Sequence, residues 1–372
     1  VPGLIDIHVH FREPGQEWKE TIETGSKSAV AGGFTAVSCM PNTNPINDSA
    51  SVTELILERA AKANLCRVYP IGAITMGSKG KSLAPMMELT EAGCVAFSDD
   101  GWPVSNAQMM RRALEYSSMF ERVLTVHEED TSLSNHFAMN ESALSIKLGL
   151  QGMPDAAENV MIARDIELAR LTGGYVHFCH VSTARGVELI RRAKNDGISV
   201  TAETTPHYLV ATEDLVSDFD TNAKMSMPLR GAEDVEALRI GVKDGTIDCI
   251  ASDHAPHEND SKFVEFDKAS FGTIGLQTTL PLVMQCVREK AFSLERGIEA
   301  LTSSPRKCFK LEEHSLKEGQ VADVVVIDPE RVETATKEFF QSKSKNSMFL
   351  DWQLQGLADY TFVSGRQVYS AK

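Results

Sequence analysis

Long apolar runs are missing from this chain of 372 residues, and none approaches the roughly 18 residues that a membrane span needs. Positive charge is in deficit: 37 Lys and Arg stand against 52 Asp and Glu, a net charge of −15. That balance repels nucleic acid and anionic membrane surfaces, so neither is expected as a partner, and it reads as a solvated acidic surface. Paired cysteines are also lacking. The seven, at 39, 66, 94, 179, 249, 286 and 308, are odd in number, scattered, without a CxxC pair, and mostly inside apolar patterns such as Phe178-Cys179-His180. Free buried thiols in a reducing compartment explain this better than a disulfide framework or a thiolate metal site, and a cytoplasmic location is expected. There are no low-complexity tracts and no signal peptide. An initiator Met is absent too: the chain opens on Val1 inside an apolar pattern, and a preceding segment is expected to be missing.

What is present is ordinary for a globular enzyme, 42% hydrophobic and 24% charged. Short apolar or alternating runs at 4–10, 36–40, 68–75, 95–100, 123–128, 175–182, 200–205 and 249–254 read as strands. Helical spacing separates most of them, at 21–31, 49–63, 86–92, 107–120, 156–171, 184–195 and 232–243. Strand followed by helix, repeated eight times, predicts a (β/α)8 TIM-type barrel, with a doubly wound open sheet as the alternative. Two connections, 129–155 and 256–275, exceed what a barrel needs; such loops at the carboxyl ends of strands serve as lids or substrate contacts, and for 129–155 an insertion merely tolerated on the surface is an equal alternative. Beyond residue 310 the rhythm changes to strands at 322–328 and 360–369, the latter a hairpin around Ser364-Gly365. The expected division is a barrel over 1–310 and a small β-rich module over 311–372, whose strands need partners from elsewhere.

Barrel chemistry sits at the carboxyl ends of strands. His8 and His10 close the first run, two apart and therefore on one face, which makes them half of a metal site. Asp99-Asp100-Gly101 follows the fourth run. A tight turn is the plain reading of that composition, but beside ligands on other strands one Asp of the pair is expected to join them. His127 ends the fifth run, His180 the sixth, His207 follows the seventh, and Asp253 closes the eighth with His254 and His257 beyond. Alternation puts His180 with Phe178 and leaves His177 on the opposite side as a packed or hydrogen-bonded structural histidine. His254 points away from Asp253 with no role forced, and His136 and His314 read as loop residues. Imidazole with carboxylate suits Zn2+, with Mn2+ or Co2+ as alternatives; two ions would need a bridging anion such as Asp. Such a site activates water and polarises a carbonyl, and Asp253 would carry the proton to a leaving nitrogen as general base and then acid.

Six segments carry a family resemblance. They are Pro2-Gly3-Leu4-Ile5-Asp6-Ile7-His8-Val9-His10-Phe11-Arg12-Glu13-Pro14-Gly15, Met40-Pro41-Asn42-Thr43, Phe97-Ser98-Asp99-Asp100-Gly101, His180-Val181-Ser182-Thr183, Lys224-Met225-Ser226-Met227-Pro228-Leu229-Arg230 and Ser252-Asp253-His254-Ala255-Pro256-His257. With them the chain resembles the bacterial class I dihydroorotases of the amidohydrolase superfamily. The resemblance implies one zinc on His8, His10 and Asp253, a second on His127 and His180, and Asp100 as the bridge. It implies that Arg12, Asn42 and His257 grip a substrate carboxylate, and that Ser226, Phe271 and Gly272 also contact substrate. The implied reaction is the reversible cyclisation of N-carbamoyl-L-aspartate to dihydroorotate, with one or two zinc ions per chain. A homodimer and an association with aspartate transcarbamoylase are the partners left open. The C-terminal module would be the remnant of a β-sandwich whose N-terminal half is absent from this chain.

Ser226 stands where the family usually has Asn, and Asn44 where it has Arg. Two other readings compete. A hydantoinase or dihydropyrimidinase would carry a lysine at the end of strand four, and 95–101 contains none. A catalytically silent subunit would have no physical need for buried, paired charges.

Overall fold

The computed structural model describes residues 1–371. The first two strands, β1 (Leu4–Val9) and β2 (Phe34–Cys39), are buried along their whole length, as strands covered on both faces must be. They continue through β3 (Arg67–Gly72), β4 (Ala96–Phe97), β5 (Val123–Val126), β6 (Val176–Phe178), β7 (Val200–Thr204) and β8 (Cys249–Ile250). Every neighbour in this order pairs in parallel. The ring closes where Val9 bridges His254 and His10 N donates to His254 O at 2.9 Å. Spatial order that follows chain order and returns to β1 is a barrel, so the open-sheet alternative is excluded.

Small and branched side chains fill the barrel: Ile5, Ile7, Ala36, Ile71, Ala96 and Ala251 form a core of their own, with Phe309 packed against them. Some of the helices around it begin at polar caps. Thr21 accepts from Thr24 N to start Ile22–Ala31, and Thr183 accepts from Gly186 N to start Ala184–Asn195. Each cap fixes the turn between a strand end and its helix, and so the loop that carries site residues. All seven expected helices are present. An eighth long one, Leu276–Arg288, was not expected. It lies between the barrel and the C-terminal sheet, is buried over most of its length, and carries Pro281 inside it, which in a sequence reads as a helix break. Among the described residues no helix is long and apolar enough to cross a membrane.

The loop after β5 is not irregular throughout. It holds a two-stranded parallel ribbon, Met139–Asn140 with Gly152–Met153, and the helix Ala143–Leu148 between them. At the C-terminus β9 (Val324–Thr334), β10 (Gln353–Val363) and β11 (Arg366–Ser370) form an antiparallel sheet in that order. The hairpin turns at Ser364-Gly365, both at positive φ, as expected. β10 begins seven residues before the expected 360, because Gly356, at φ 90° and seated over Met284, breaks the hydrophobic pattern. Val1 and Pro2 run along β9: Val325 N donates to Val1 O at 3.1 Å, and Pro2 bridges Val324. Part of the partnership these strands require is therefore supplied by the first residues of the chain.

Candidate metal centre and substrate cavity

His8 lies inside β1 and His10 just past its end; His127 follows β5 directly, and Asp100, His180 and Asp253 stand shortly beyond β4, β6 and β8. All six side chains are buried. Their contacts form two sets. His10 Nε2 lies 3.1 Å and His8 Nε2 3.5 Å from Asp253 Oδ1. His127 Nδ1 lies 3.0 Å from His180 Nε2, and both face Asp100 Oδ1, at 3.7 and 3.6 Å. Asp100 also faces the first set, at 3.5 Å from His8 Nε2 and 3.5 Å from His10 Nε2. Asp99 turns away, accepting from Ile74 N at 2.9 Å, Thr75 N at 3.0 Å and the Thr75 hydroxyl. Of the Asp pair, Asp100 is the one at the centre.

An acceptor behind three of the imidazoles sets which nitrogen faces inward. Glu203 Oε1 accepts from His8 Nδ1 at 2.6 Å, Asn42 Oδ1 from His10 Nδ1 at 2.9 Å, and Glu129 Oε2 from His127 Nε2 at 3.0 Å. Each ring thus aims its other nitrogen at the carboxylates, the arrangement that orients metal-binding histidines. His8 Nε2 and Asp100 Oδ1, both facing into the cluster, are buried without any hydrogen-bond partner. Bare nitrogen lone pairs and carboxylate oxygens converging at these distances repel unless positive charge stands among them. The ionisation of the groups expresses the same demand. Burial opposes charge on His8, yet Asp100, Cys179, Glu203 and Asp253 push its pKa well above the ordinary value. Burial would raise Asp253, but His8 and His10 bring it to about 2. A proton and a divalent cation are alternative ways to supply the charge. The groups His8–His10–Asp253 and Asp100–His127–His180 each hold their donor atoms within 4.8 Å, a set of imidazole and carboxylate donors that fits such a cation.

Above this cluster lies a cavity of about 350 Å3, a size suited to a small metabolite. Every expected site residue except His8 lines it; His8 is sealed beneath. Arg12 enters from the β1 end with φ 61°, its Nε donating to Pro256 O at 3.3 Å. Arg12 Nη2 lies 3.3 Å from His257 Nε2, and Lys19 Nζ lies 3.5 Å from His257 Nδ1. Burial, then Arg12 and Lys19, push the His257 pKa far below its ordinary value, so the ring is neutral and accepts from only one of the two cations. This end of the cavity has donors to spare and matches an anion. Asn42 joins it, and Ser226, Phe271 and Gly272 form another wall. Phe271 stacks on Phe137 with centroids 4.9 Å apart, and a Cβ on Gly272 would meet Ala255 Cβ at 2.6 Å, so only glycine fits there.

Strand alternation misplaced one histidine. His177 is hydrogen-bonded as expected, to Thr201 Oγ1 at 2.8 Å and Glu203 Oε2 at 3.2 Å, and stands opposite Phe178, inside the barrel with His8; the misplaced one is His180. Phe178 is the residue that packs outward, among the helix-facing core. β6 stops at Phe178, and His180 takes φ 34°, which returns its ring to the mouth against the count of two. His254 does point away, to Glu20 Oε2 at 3.4 Å and Gly275 N at 3.2 Å. His207 is buried against Tyr208 and does not line the cavity. His314 lies beside Asp323 at 2.9 Å, and His136 sits in the loop after β5.

Sequence reasoning missed Glu203, Glu129, Trp102 and Asn346. A carboxylate inside the apolar run of β7 was a usable signal for Glu203, since a charge there needs a partner. Trp102, more than half exposed on the cavity rim, offered none.

A Dihydro-orotase-like family model matches residues 1–186. The chain is 52% identical over 369 residues to the dihydroorotase of Syntrophotalea carbinolica, covering 99% of this chain and 87% of that one. It is 50% identical over 370 residues to the dihydroorotase of Geobacter sp. strain M21, with 100% and 87% covered. Among solved structures, the L-hydantoinase of Arthrobacter aurescens superposes with a TM-score of 0.88 at 26% identity, over 99% of this chain and 85% of that one. The dihydropyrimidinase of Brevibacillus agri NCHU1002 superposes at 0.84 with 20% identity over 100% and 84%, a likeness of fold alone. Half-identity sustained along nearly the whole chain goes well beyond a shared barrel, and this chain belongs to the dihydroorotase family of the amidohydrolase superfamily.

Proposed function

We propose that this chain interconverts N-carbamoyl-L-aspartate and L-dihydroorotate, with one or two Zn2+ ions in the mouth of the barrel. His8, His10 and Asp253 would hold one ion, His127 and His180 the other, and Asp100 would bridge them. Bound there, the metal supplies an activated water and a polarised amide carbonyl. The protein's own groups do the rest. Asp253 lies where the metal cluster meets the cavity, so it can take the proton of the attacking water and return it to the ring nitrogen as the C–N bond breaks. Arg12, Asn42 and His257 would hold the substrate carboxylate, and Ser226, Phe271 and Gly272 would bound the ring. Holding both ends fixes the scissile amide over the cluster.

The observation that carries this reading is one cavity with a His and Asp cluster at its base and a donor-rich end at Arg12 and His257. Dihydroorotate and a hydantoin assayed side by side, with and without chelator, test it. Turnover of dihydroorotate that disappears with chelator and returns with Zn2+ is expected; turnover of the hydantoin alone would overturn the substrate assignment. The same reading takes the chain as a barrel over 1–310 with a β-module over 311–372, acting in the cytoplasm, where its buried free thiols stay reduced. Assembly as a homodimer or with aspartate transcarbamoylase belongs to it as well, and sedimentation of the chain alone and with that partner tests both.

A further inference from the structure

The segment between β9 and β10 does not stay with its sheet. It crosses to the barrel mouth, where Ser342 Oγ and Lys343 N donate to Glu20, and Ser344 Oγ donates to Lys19 O at 2.6 Å. Two residues on, Asn346 is 5% exposed and fully engaged. Its Oδ1 accepts from His257 N at 2.9 Å, and its Nδ2 donates to Ala255 O at 3.0 Å and Gly272 O at 3.2 Å. Its main-chain oxygen accepts from Ile274 N at 3.0 Å and Thr273 Oγ1 at 3.1 Å.

These partners are the two legs of the loop that follows β8. Near their base the legs pair directly, with Ala255 N donating to Thr273 O at 2.9 Å. Further out the legs pair directly again where Ser270 N donates to Ser261 O at 3.0 Å and Lys262 Nζ to Ser270 O at 2.7 Å. Between these points the Asn346 amide spans the gap, joining Ala255, His257 and Gly272. Both His257 and Gly272 line the cavity. Asn346 does not, and it comes from the far end of the chain.

We infer that Asn346 is a positioning residue: its side-chain amide sets the spacing of His257 and Gly272 and thereby the shape of the donor-rich end of the cavity. The inference rests on the functional reading of that end as the substrate-carboxylate site. Among the described residues none of the hydrogen bonds of Asn346 reaches the metal cluster, so its loss is expected to act on substrate grip and not on metal content.

The test uses the full zinc-loaded chain. Asn346→Ala removes three hydrogen bonds, and a rise in KM for dihydroorotate of about tenfold or more is expected, with kcat changed less than about threefold. Metal content, read by atomic emission, stays at the wild-type value. Dihydroorotate affinity measured by calorimetry falls in parallel with KM. In a His257→Ala background the same change adds less than about twofold, because the group it positions is gone. Should the alanine variant fail to fold, Asn346→Asp keeps the size, loses both donors, and is expected to raise KM in the same way. Equal falls in kcat and metal content with KM unmoved, or full additivity with His257→Ala, would overturn the inference. If the wild-type chain neither binds nor converts dihydroorotate, the functional reading falls and takes the inference with it. If the wild type does both and Asn346→Ala matches it, only the inference falls.

Discussion

The two ends of the cavity are built in different ways. At the metal end, six side chains arrive from five strands of one closed sheet, His8 and His10 from the same one, and each lies near or just beyond a strand end. Three of its imidazoles are turned by an acceptor standing directly behind them. At the donor-rich end, Arg12, His257 and Gly272 sit on loops, and His257 and Gly272 are braced from distant parts of the chain: His257 by Lys19 after β1, and both by Asn346 from the segment beyond β9. Strand ends give a precision that hydrogen-bonded sheet supplies without help. Loops achieve it only when another element pins them. The division matches the chemistry, since metal coordination tolerates little displacement and a carboxylate gripped by several donors tolerates more.

The comparison breaks first at Asp253. Asp253→Asn removes the proton carrier, and kcat is expected to fall by about 10^3-fold or more while far-UV circular dichroism stays unchanged. Turnover near the wild-type rate would show that another group moves the proton. Glu203→Gln sharpens the contrast from behind the metal end. The variant loses the carboxylate that orients His8, and metal affinity is expected to drop by about 10- to 100-fold in a chelator competition, with KM little changed. A rise in KM alone would erase the distinction between the two ends.

Much of the metal end was legible before any coordinates. Residues two apart at the close of β1, and an Asp at the close of β8, follow from a strand's period. His180 was placed in the right region by an argument that fails in detail, because positive φ just past a strand resets the direction of a side chain. Glu203 was legible but passed over, a carboxylate inside a strand that needs a partner there. The donor-rich end was legible only through family resemblance: nothing in the pattern around residue 346 says that its amide joins Ala255 to Gly272. Contacts spanning so much chain have no local signature. Leu276–Arg288 was missed for another reason: Pro281 stands inside it, and a proline within a run reads as a break in a helix.

Smaller effects refine the loop-built end. Burial alone would raise the Glu20 carboxyl, but hydrogen bonds and charge from His254, with Ser342 and Thr24, hold it below its ordinary value of 4.5. A carboxyl depressed in the folded state gives stability that is present above its unfolded pKa and is lost as pH falls through and below it. Thermal melts of the chain are therefore expected to lose less between about pH 5 and about pH 3 in Glu20→Gln than in the wild type. Parallel acid limbs would mean that Glu20 does not tie the crossing segment to the mouth. Ser226→Asn should have the least effect, lowering KM for dihydroorotate by about threefold to tenfold through one added hydrogen bond. An unchanged KM would put position 226 outside the substrate's reach.

Stepwise addition of Zn2+ to chelator-stripped protein, with dihydroorotate turnover followed at each step, bears most directly on the union of a metal end and an anion end in one cavity. Turnover should be absent at the start and rise to its plateau within the first one to two equivalents per chain, the number of donor sets at the mouth. Full-rate turnover in the stripped protein, before any metal is added, would contradict the account.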